Sequence, residues 1–142
     1  LGHIAFYIEH QQQKWLFCGD TLFGAGCGRL FEGTPSQMMA SLQKLAALDI
    51  NTQVYCTHEY TLHNINFALP LEPDNTALIQ RQLDTKALRN SQLPSLPSTI
   101  ALELATNPFL RCDSKQIQAA VNLKNQPLLQ VFTKIRDIRN LY

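Results

Sequence analysis

Strand-type sequence is confined to the first 58 residues of this 142-residue chain, and this division limits the possible folds more than any other feature. Short runs rich in aromatic and β-branched residues occur at about 4–9, 15–18 and 53–57. From residue 59 onwards apolar residues recur at helical spacing instead, and prolines separate the segments. Strands that precede a series of helices predict an α+β protein.

One helix precedes the last strand, and a capping sequence marks its start. Thr34 can accept hydrogen bonds from the free N–H groups of a first turn, Pro35 suits the first helical position, and Gln37 can complete a capping box. Apolar residues then recur at helical spacing to about Leu48. Beyond residue 58 we predict a second, all-helical part. Its helices are expected at about 59–69, 75–90, 98–105, 114–122 and 127–140.

The composition is that of a globular, soluble protein without a nucleic-acid or membrane partner. Hydrophobic residues make up 45% of the chain, which suffices for a core, and 12 basic against 11 acidic side chains leave a net charge of +1. No long run of either charge supports binding to nucleic acid, and no apolar stretch is long enough to cross a membrane. Four cysteines without a C-x-x-C pair indicate free thiols in a reducing setting, so we expect a cytoplasmic protein.

The segment from Gly19 to Thr34 carries the clearest chemical signal. It begins with Asp20, which follows an apolar strand, and continues through a glycine-dense loop where the backbone can approach a ligand closely. His58 follows the third strand in the same way, and His3 stands where the first strand begins. Two imidazoles and one carboxylate suit a divalent transition metal, although their spacing matches no local zinc motif. The alternative is that all three are ordinary polar residues at strand ends.

The glycine-dense loop and His58 each resemble a familiar motif that neighbouring residues exclude. His58 and the glutamate after it do not begin H-E-x-x-H, because Leu62 occupies the position of the second histidine. The glycine run forms no dinucleotide or phosphate loop, since Arg29 stands at the third glycine position and no Walker lysine follows. We therefore expect these glycines to shape a loop close to a bound group.

Three further residues with reactive side chains receive no functional role from the sequence. Cys27 lacks a paired base at a readable spacing, so packing is the better account than nucleophilic catalysis. His10 and His63 lie in polar stretches, where we expect exposure to solvent.

The last predicted helix carries arginines on or beside its apolar stripe. Taking Ile135 as the reference at 100° per residue, Arg139 falls inside the stripe and Arg136 flanks it. A guanidinium on the buried side of a helix needs an anion or a route to water. Alternatively, both arginines simply complement the negative end of the helix dipole. The apolar residues within about 60° of the reference are Leu128, Val131, Phe132, Ile138 and Tyr142.

In combination, these blocks resemble glyoxalase II, the hydroxyacylglutathione hydrolases of the metallo-β-lactamase superfamily. The resemblance spans essentially the whole chain. It implies the C-terminal half of an αββα sandwich in residues 1–58, followed by a helical glutathione-binding domain in residues 59–142. The segments that carry it are Leu1-Gly2-His3, Gly19 to Phe23, Gly26 to Thr34, His58 to Thr61, Asn107-Pro108-Phe109 and the arginine-bearing last helix.

The resemblance implies a reaction: hydrolysis of the thioester of S-2-hydroxyacylglutathione, such as S-lactoylglutathione, to glutathione and D-lactate in methylglyoxal detoxification. A hydroxide shared by two divalent metal ions would attack the thioester carbonyl. Zinc, iron and manganese all suit the ligand types. His3, Asp20 and His58 would be metal ligands, with Asp20 as the bridge between the two ions.

The resemblance also implies which residues hold the glutathione moiety. These are Arg29, Phe31, Tyr60, Arg136 and Arg139. Cationic side chains are the expected partners for peptide carboxylates. Two of these positions depart from the family pattern, because Phe31 replaces a tyrosine found in some members and Arg139 replaces a common lysine.

A larger departure concerns the T-H-x-H-x-D-H motif, which supplies most of the metal ligands in this family and does not occur in these 142 residues. We expect it upstream of Leu1, in a parent protein that is a monomer. The isolated chain is then expected to bind metal weakly, to leave thioesters intact and to need the N-terminal half of the fold as its partner. Two alternatives remain: a related glutathione-dependent metallo-hydrolase or sulfur dioxygenase, and a truncated pseudoenzyme that retains only a glutathione-binding surface.

Overall fold

A computed structural model describes residues 2–142; Leu1, the first residue of the Leu-Gly-His segment, lies outside the described residues. Strands dominate the first part of the chain and helices the second, so the α+β class is confirmed. The strands are β1 (Phe6–His10), β2 (Gln13–Gly19), β3 (Leu22–Phe23), β4 (Gly26–Cys27), β5 (Gln53–Cys56) and β6 (Ser98–Thr99). The helices are α1 (Pro35–Ala46), α2 (Thr61–Ala68), α3 (Thr76–Asn90), α4 (Ile100–Thr106), α5 (Lys115–Ala120) and α6 (Leu128–Leu141).

The main sheet has four strands in the order β1-β2-β5-β6. β1 and β2 form an antiparallel hairpin, β2 and β5 run parallel, and β6 pairs antiparallel with β5. β3 and β4 pair with each other as a small separate hairpin, which we call the glycine hairpin (residues 22–27). The parallel β2–β5 pair matters most for the site, because it brings the C-terminal ends of two strands to one edge of the sheet.

The capping box predicted before α1 is confirmed. The Thr34 hydroxyl accepts a hydrogen bond from the Gln37 backbone N–H (3.2 Å), and the Gln37 side chain accepts one from the Thr34 backbone N–H (2.9 Å). Pro35 occupies the first turn, where its missing N–H has no consequence. The local sequence therefore specifies where this helix begins.

The core lies on one face of the main sheet. Leu16 and Cys18 of β2 and Val54 of β5 are fully buried in one apolar cluster with α1, α4 and α6. That cluster contains Leu42 from α1 and Phe132 from α6. Among the helices of residues 2–142, none combines the length and apolarity needed to cross a bilayer.

The opposite face of the sheet is apolar but exposed. Phe6 and Ile8 of β1 are the cross-strand partners of Phe17 and Trp15 on β2, so their side chains share this face. Phe6, Ile8 and Phe17 are 60%, 47% and 41% exposed, and the Phe17 ring stacks on Tyr55 at 5.2 Å between ring centroids. Such a contiguous exposed apolar face is typical of a surface that another element covers.

Two expectations about the second part of the chain need correction. It is not wholly helical, because Ser98–Thr99 forms a short strand on β5. On α6, the depths of the two arginines are reversed relative to the stripe prediction: Arg136 is buried, whereas Arg139 is partly exposed. The reason is that the Arg136 guanidinium donates hydrogen bonds to buried carbonyl oxygens at the end of the glycine hairpin. These bonds offset the cost of removing the Arg136 charge from water.

Candidate functional site

All eight residues singled out from the sequence line one cavity of about 780 Å³. The loop after β2, the glycine hairpin, the start of α2 and the end of α6 form its walls. The eight residues are His3, Asp20, Arg29, Phe31, His58, Tyr60, Arg136 and Arg139. Residues from both parts of the chain thus meet in one place, and the metal-type donors and the cations lie along the same cavity.

Asp20 and His58 lie together because β2 and β5 are parallel. Each residue follows the C-terminal end of its strand, and the ends are paired through Gly19 and Cys56. The Asp20 Oδ1 atom is 3.5 Å from His58 Nε2. The Thr57 hydroxyl donates a hydrogen bond to the same carboxylate oxygen and so restricts its orientation.

The His3 imidazole packs directly against the backbone of Gly19 and so lies beside Asp20. Its Nε2 atom accepts a hydrogen bond from the Asp20 backbone N–H at 3.0 Å. Gly19 has φ 54°, and a Cβ at that position would collide with the His3 imidazole, so only glycine allows this approach. His3 is therefore beside Asp20, but its ring nitrogen is directed at the backbone rather than at the carboxylate.

These donors fit part of a metal site. Asp20 and His58 are close enough to bind one cation together, and imidazole with carboxylate suits a divalent transition metal. Within residues 2–142, however, no group of three or more His, Cys, Asp or Glu side chains is arranged to hold a metal ion. A complete site needs donors in addition to those that converge here.

Aromatic rings line the cavity beside His58. The His58 imidazole stacks on the Tyr60 ring at 4.9 Å between centroids, with 19° between the ring planes. Phe23 of the glycine hairpin contacts the Tyr60 ring edge-on at 5.4 Å. This wall fixes the His58 ring plane, and it offers an apolar surface next to the donors.

Three arginines, Arg29, Arg136 and Arg139, line the same cavity. Burial lowers the pKa of Arg139, and the neighbouring charges of Arg136 and Arg29 lower it further. The Arg139 Nη2 atom donates to Asn64 Oδ1 at 3.0 Å, and its guanidinium lies 5.6 Å from the Phe67 ring centroid. A cation whose charge is disfavoured by neighbouring cations belongs to a site that an anionic ligand would stabilise.

Arg136 is more deeply placed than the other two arginines, at 3% exposure. Its Nη1 atom donates to the carbonyl oxygens of Cys27 (2.9 Å) and Gly28 (3.3 Å). Its guanidinium lies 5.2 Å from the centre of the Phe109 ring. Arg136 thus links α6 to the end of the glycine hairpin as well as lining the cavity.

The structure adds two cavity residues from α2 that the sequence interpretation missed. His63, to which we assigned no role, lines the cavity, and its ring lies 5.1 Å from the Tyr142 ring; burial first and the Arg139 charge second lower its pKa. Asn64 orients Arg139 through its Oδ1 atom. The helical spacing of four residues between Tyr60 and Asn64 was a signal that could have found the latter.

Cys27 also lines the cavity, but its chemistry favours packing. Burial raises the pKa of the Cys27 thiol to about 11, although the Arg136 charge acts in the opposite direction. A thiol that stays protonated at neutral pH is a poor nucleophile. The expectation that Cys27 packs rather than attacks a substrate therefore agrees with its surroundings.

Comparison with known proteins matches both parts of the chain. Residues 59–142 match the family model for the hydroxyacylglutathione hydrolase C-terminus, and residues 1–58 match the metallo-beta-lactamase superfamily. A hydroxyacylglutathione hydrolase of Methylobacillus flagellatus is 58% identical, over 99% of this chain and 54% of the relative. Proteins of the same name from Pseudomonas aeruginosa and Nitrosomonas eutropha are 54% and 51% identical; they cover 96% and 98% of this chain and 54% and 56% of their own lengths.

The chain spans about half the length of the curated relatives it matches. Membership of the metallo-beta-lactamase superfamily implies the use of divalent metal, in keeping with the donor types at Asp20 and His58. The C-terminal family model alone covers more than half of the chain, and the similarity to the named relatives extends over nearly all of it. The chain therefore belongs to the hydroxyacylglutathione hydrolase (glyoxalase II) family of the metallo-β-lactamase superfamily.

Proposed function

We propose that this chain supplies the glutathione-binding region and part of the metal site of an enzyme that hydrolyses S-2-hydroxyacylglutathione. The favoured substrate is S-lactoylglutathione, and the products are glutathione and D-lactate, as in methylglyoxal detoxification. One observation carries the proposal: Asp20 and His58, 3.5 Å apart, line the same cavity as Arg29, Arg136 and Arg139. With the thioester at Asp20 and His58, the carboxylates of the glutathione moiety would be bound by arginines of the same cavity.

Asp20, His58 and His3 would supply some of the ligands for a pair of divalent ions, and zinc, iron and manganese all suit these ligand types. When bound, such a pair lowers the pKa of a shared water and supplies a hydroxide nucleophile at neutral pH. The chain's own contribution is orientation. The Thr57 hydroxyl holds the Asp20 carboxylate, and the Tyr60 ring holds the His58 imidazole. His3 would have to exchange its hydrogen bond to the Asp20 backbone for a metal bond.

The cations would bind the glutathione moiety. Arg139 is held by Asn64 with part of its guanidinium at the cavity, and Arg29 is exposed at the cavity wall, so both can meet carboxylates. Phe31, at 86% exposure, would give apolar contact where a tyrosine would add a hydroxyl. We propose residues 59–142 as the glutathione-binding domain and residues 1–58 as a partial metallo-β-lactamase domain, with Arg29 and Phe31 contributed by the latter.

The exposed sheet face supports our expectation that the rest of the sandwich is the partner of this chain. Phe6, Ile8 and Phe17 would be covered by the N-terminal half of the fold, which would also bring the remaining metal ligands. On this proposal the complete enzyme is a monomer, and the isolated chain is inactive toward thioesters. The free cysteines agree with a reducing, cytoplasmic setting.

A glutathione-binding pseudoenzyme is the second candidate. It is favoured by one observation, the direction of His3 Nε2 toward the Asp20 backbone rather than toward a point shared with Asp20 and His58. On that alternative the arginines that line the cavity would still bind glutathione, but no hydrolysis would accompany binding.

A chimera separates the two candidates. The part of the Methylobacillus flagellatus relative that precedes the region of similarity is joined to this chain, and hydrolysis of S-lactoylglutathione is followed by loss of thioester absorbance. We expect turnover by the metal-loaded chimera, none by the chain alone, and a loss of at least about a hundredfold on Asp20→Ala in the chimera. A folded, metal-loaded chimera that binds glutathione without turnover would favour the pseudoenzyme.

A further inference from the structure

The segment Asn107-Pro108-Phe109 has no part in the proposed chemistry, yet it contacts two walls of the cavity. Asn107 follows α4 and is fully buried, and Phe109 is buried two residues later. One side of the segment faces the glycine hairpin, and the other faces Arg136 on α6. A segment in this position can set the relative placement of both.

The Asn107 amide binds backbone groups through both its nitrogen and its oxygen. Its Nδ2 atom donates to the carbonyl oxygens of Gly26 (2.9 Å) and Phe23 (3.3 Å), the two ends of the turn in the glycine hairpin. Its Oδ1 atom accepts from the Phe109 backbone N–H at 3.1 Å. The same side chain therefore closes the hairpin turn and fixes the backbone that carries the Phe109 ring.

Glu103 holds the tip of the same turn. Its Oε2 atom accepts from the Ala25 backbone N–H (2.9 Å) and from Asn107 Nδ2 (3.0 Å). Ala25 has φ 53°, a left-handed conformation that residues with a Cβ rarely adopt without support. The other carboxylate oxygen of Glu103 accepts from Arg81 Nη2 at 2.6 Å, so its charge is paired inside the core.

Phe109 acts on the opposite wall. Its ring lies under the Arg136 guanidinium, and Arg136 in turn donates to the carbonyl oxygens of Cys27 and Gly28. Arg29 follows directly, so the position of this backbone decides where the Arg29 side chain enters the cavity. Asn107 and Phe109 thus act on the two ends of one short stretch of backbone.

We propose that Asn107-Pro108-Phe109 is a positioning element of the cavity: Asn107, with Glu103, fixes the turn of the glycine hairpin, and Phe109 fixes Arg136 against its end. Neither residue is assigned a contact with substrate. The expected effect on glutathione affinity rests on the proposed function, whereas the expected effect on the hairpin conformation does not.

The test compares three variants of the chain. Asn107→Ala removes the hairpin donor, Phe109→Leu removes the ring under Arg136, and Phe132→Leu is the matched control. Phe132 packs edge-on against Phe109 in the same core, with 5.7 Å between ring centroids. Amide hydrogen exchange of residues 22–28 is measured by NMR, and glutathione affinity is measured by calorimetry. Asn107→Ala reports on the hairpin and Phe109→Leu reports on Arg136. If one of these variants does not fold, the other still tests the inference.

We expect Asn107→Ala to speed exchange of the Ala25 N–H by about tenfold or more relative to the control, because opening of the hairpin turn would no longer break the Asn107 hydrogen bonds to the carbonyl oxygens of Phe23 and Gly26. Phe109→Leu is expected to weaken glutathione binding about fivefold or more relative to Phe132→Leu at equal loss of thermal stability. Hairpin exchange in Asn107→Ala that matches the control would overturn the inference. Equal affinities of the two leucine variants would overturn the part assigned to Phe109. If the wild-type chain binds no glutathione, the proposed function is at fault, and the exchange measurement still decides the inference.

Discussion

Asp20 Oδ1 lies 3.5 Å from His58 Nε2, and the two side chains come from the ends of parallel neighbouring strands. The two residues are far apart in sequence, so their proximity is a product of the sheet. A carboxylate and an imidazole at this distance can bind one divalent cation between them.

The first prediction concerns this pair. In the chimera described above, Asp20→Ala and His58→Ala should each weaken zinc binding by about tenfold or more, because each variant removes a metal donor. His10→Ala is the control, since His10 is an exposed histidine on β1. Competition with a chromophoric chelator measures the affinity. Equal affinities for all three variants would place the metal elsewhere.

The second prediction concerns the Arg81–Glu103 ion pair, which is buried and 2.6 Å long. Arg81→Met should lower the free energy of unfolding by about 3 to 5 kcal/mol, because it leaves the Glu103 charge buried without its partner. Lys86→Met at an exposed position of the same helix α3 should change the free energy of unfolding by less than about 0.5 kcal/mol. Urea unfolding followed by circular dichroism gives both values, and similar values for the two would show that the pair contributes little.

The third prediction concerns the cap of α1. Thr34→Ala should lower the free energy of unfolding by about 1 kcal/mol, since the Gln37 N–H loses its acceptor. Ser36→Ala, two residues further on at an exposed position, is the control. The same urea titration applies. A Thr34→Ala variant as stable as the control would mean that the helix start is fixed by packing alone.

The fourth prediction concerns pH. Burial by itself would raise the pKa of Glu72, but hydrogen bonds from Arg111 and Ser114 outweigh it and hold the pKa below the ordinary 4.5. The unfolded chain therefore takes up the proton more readily, so the stabilisation is complete above pH 4.5 and is lost as the pH falls through the folded pKa.

Glu72→Gln should lower the free energy of unfolding at neutral pH by about 2 to 3 kcal/mol and flatten its decline in acid. Thermal unfolding between pH 7 and pH 3 measures both effects. Glu9→Gln on the exposed strand β1 is the control. If the free energy of unfolding of Glu72→Gln declined in acid as steeply as that of the wild-type chain, other carboxylates would be responsible for the decline.

Elements whose limits are set locally could be predicted from the sequence. The Thr34 cap marked the start of α1, and the predicted start of α3 lies within one residue of the observed start, where the Asn75 side chain caps the helix. The strand Ser98–Thr99 could not be predicted in this way. It has only two residues, and its existence depends on pairing with β5, which the local pattern does not reveal.

Which residues line the site was easier to predict from the sequence than how those residues are arranged. Asp20 and His58 stood out because each follows an apolar strand, but only the parallel pairing of those strands brings them together. The stripe on α6 put Arg139 on the buried face and Arg136 beside it, which is the reverse of their observed depths. A helical projection contains no information about the carbonyl groups of Cys27 and Gly28, which make burial of Arg136 favourable.

The proposed function places glutathione recognition in this chain, and calorimetric titration of glutathione into the 142-residue chain tests this claim most directly. Arg139→Ala is the informative variant, because Arg139 is partly exposed at the cavity and its loss leaves the glycine hairpin contacts of Arg136 in place. We predict that the folded chain binds glutathione, that Arg139→Ala weakens binding by about tenfold or more, and that Arg89→Ala leaves it unchanged. A folded chain that binds no glutathione, or binds it equally well after Arg139→Ala, would contradict the claim.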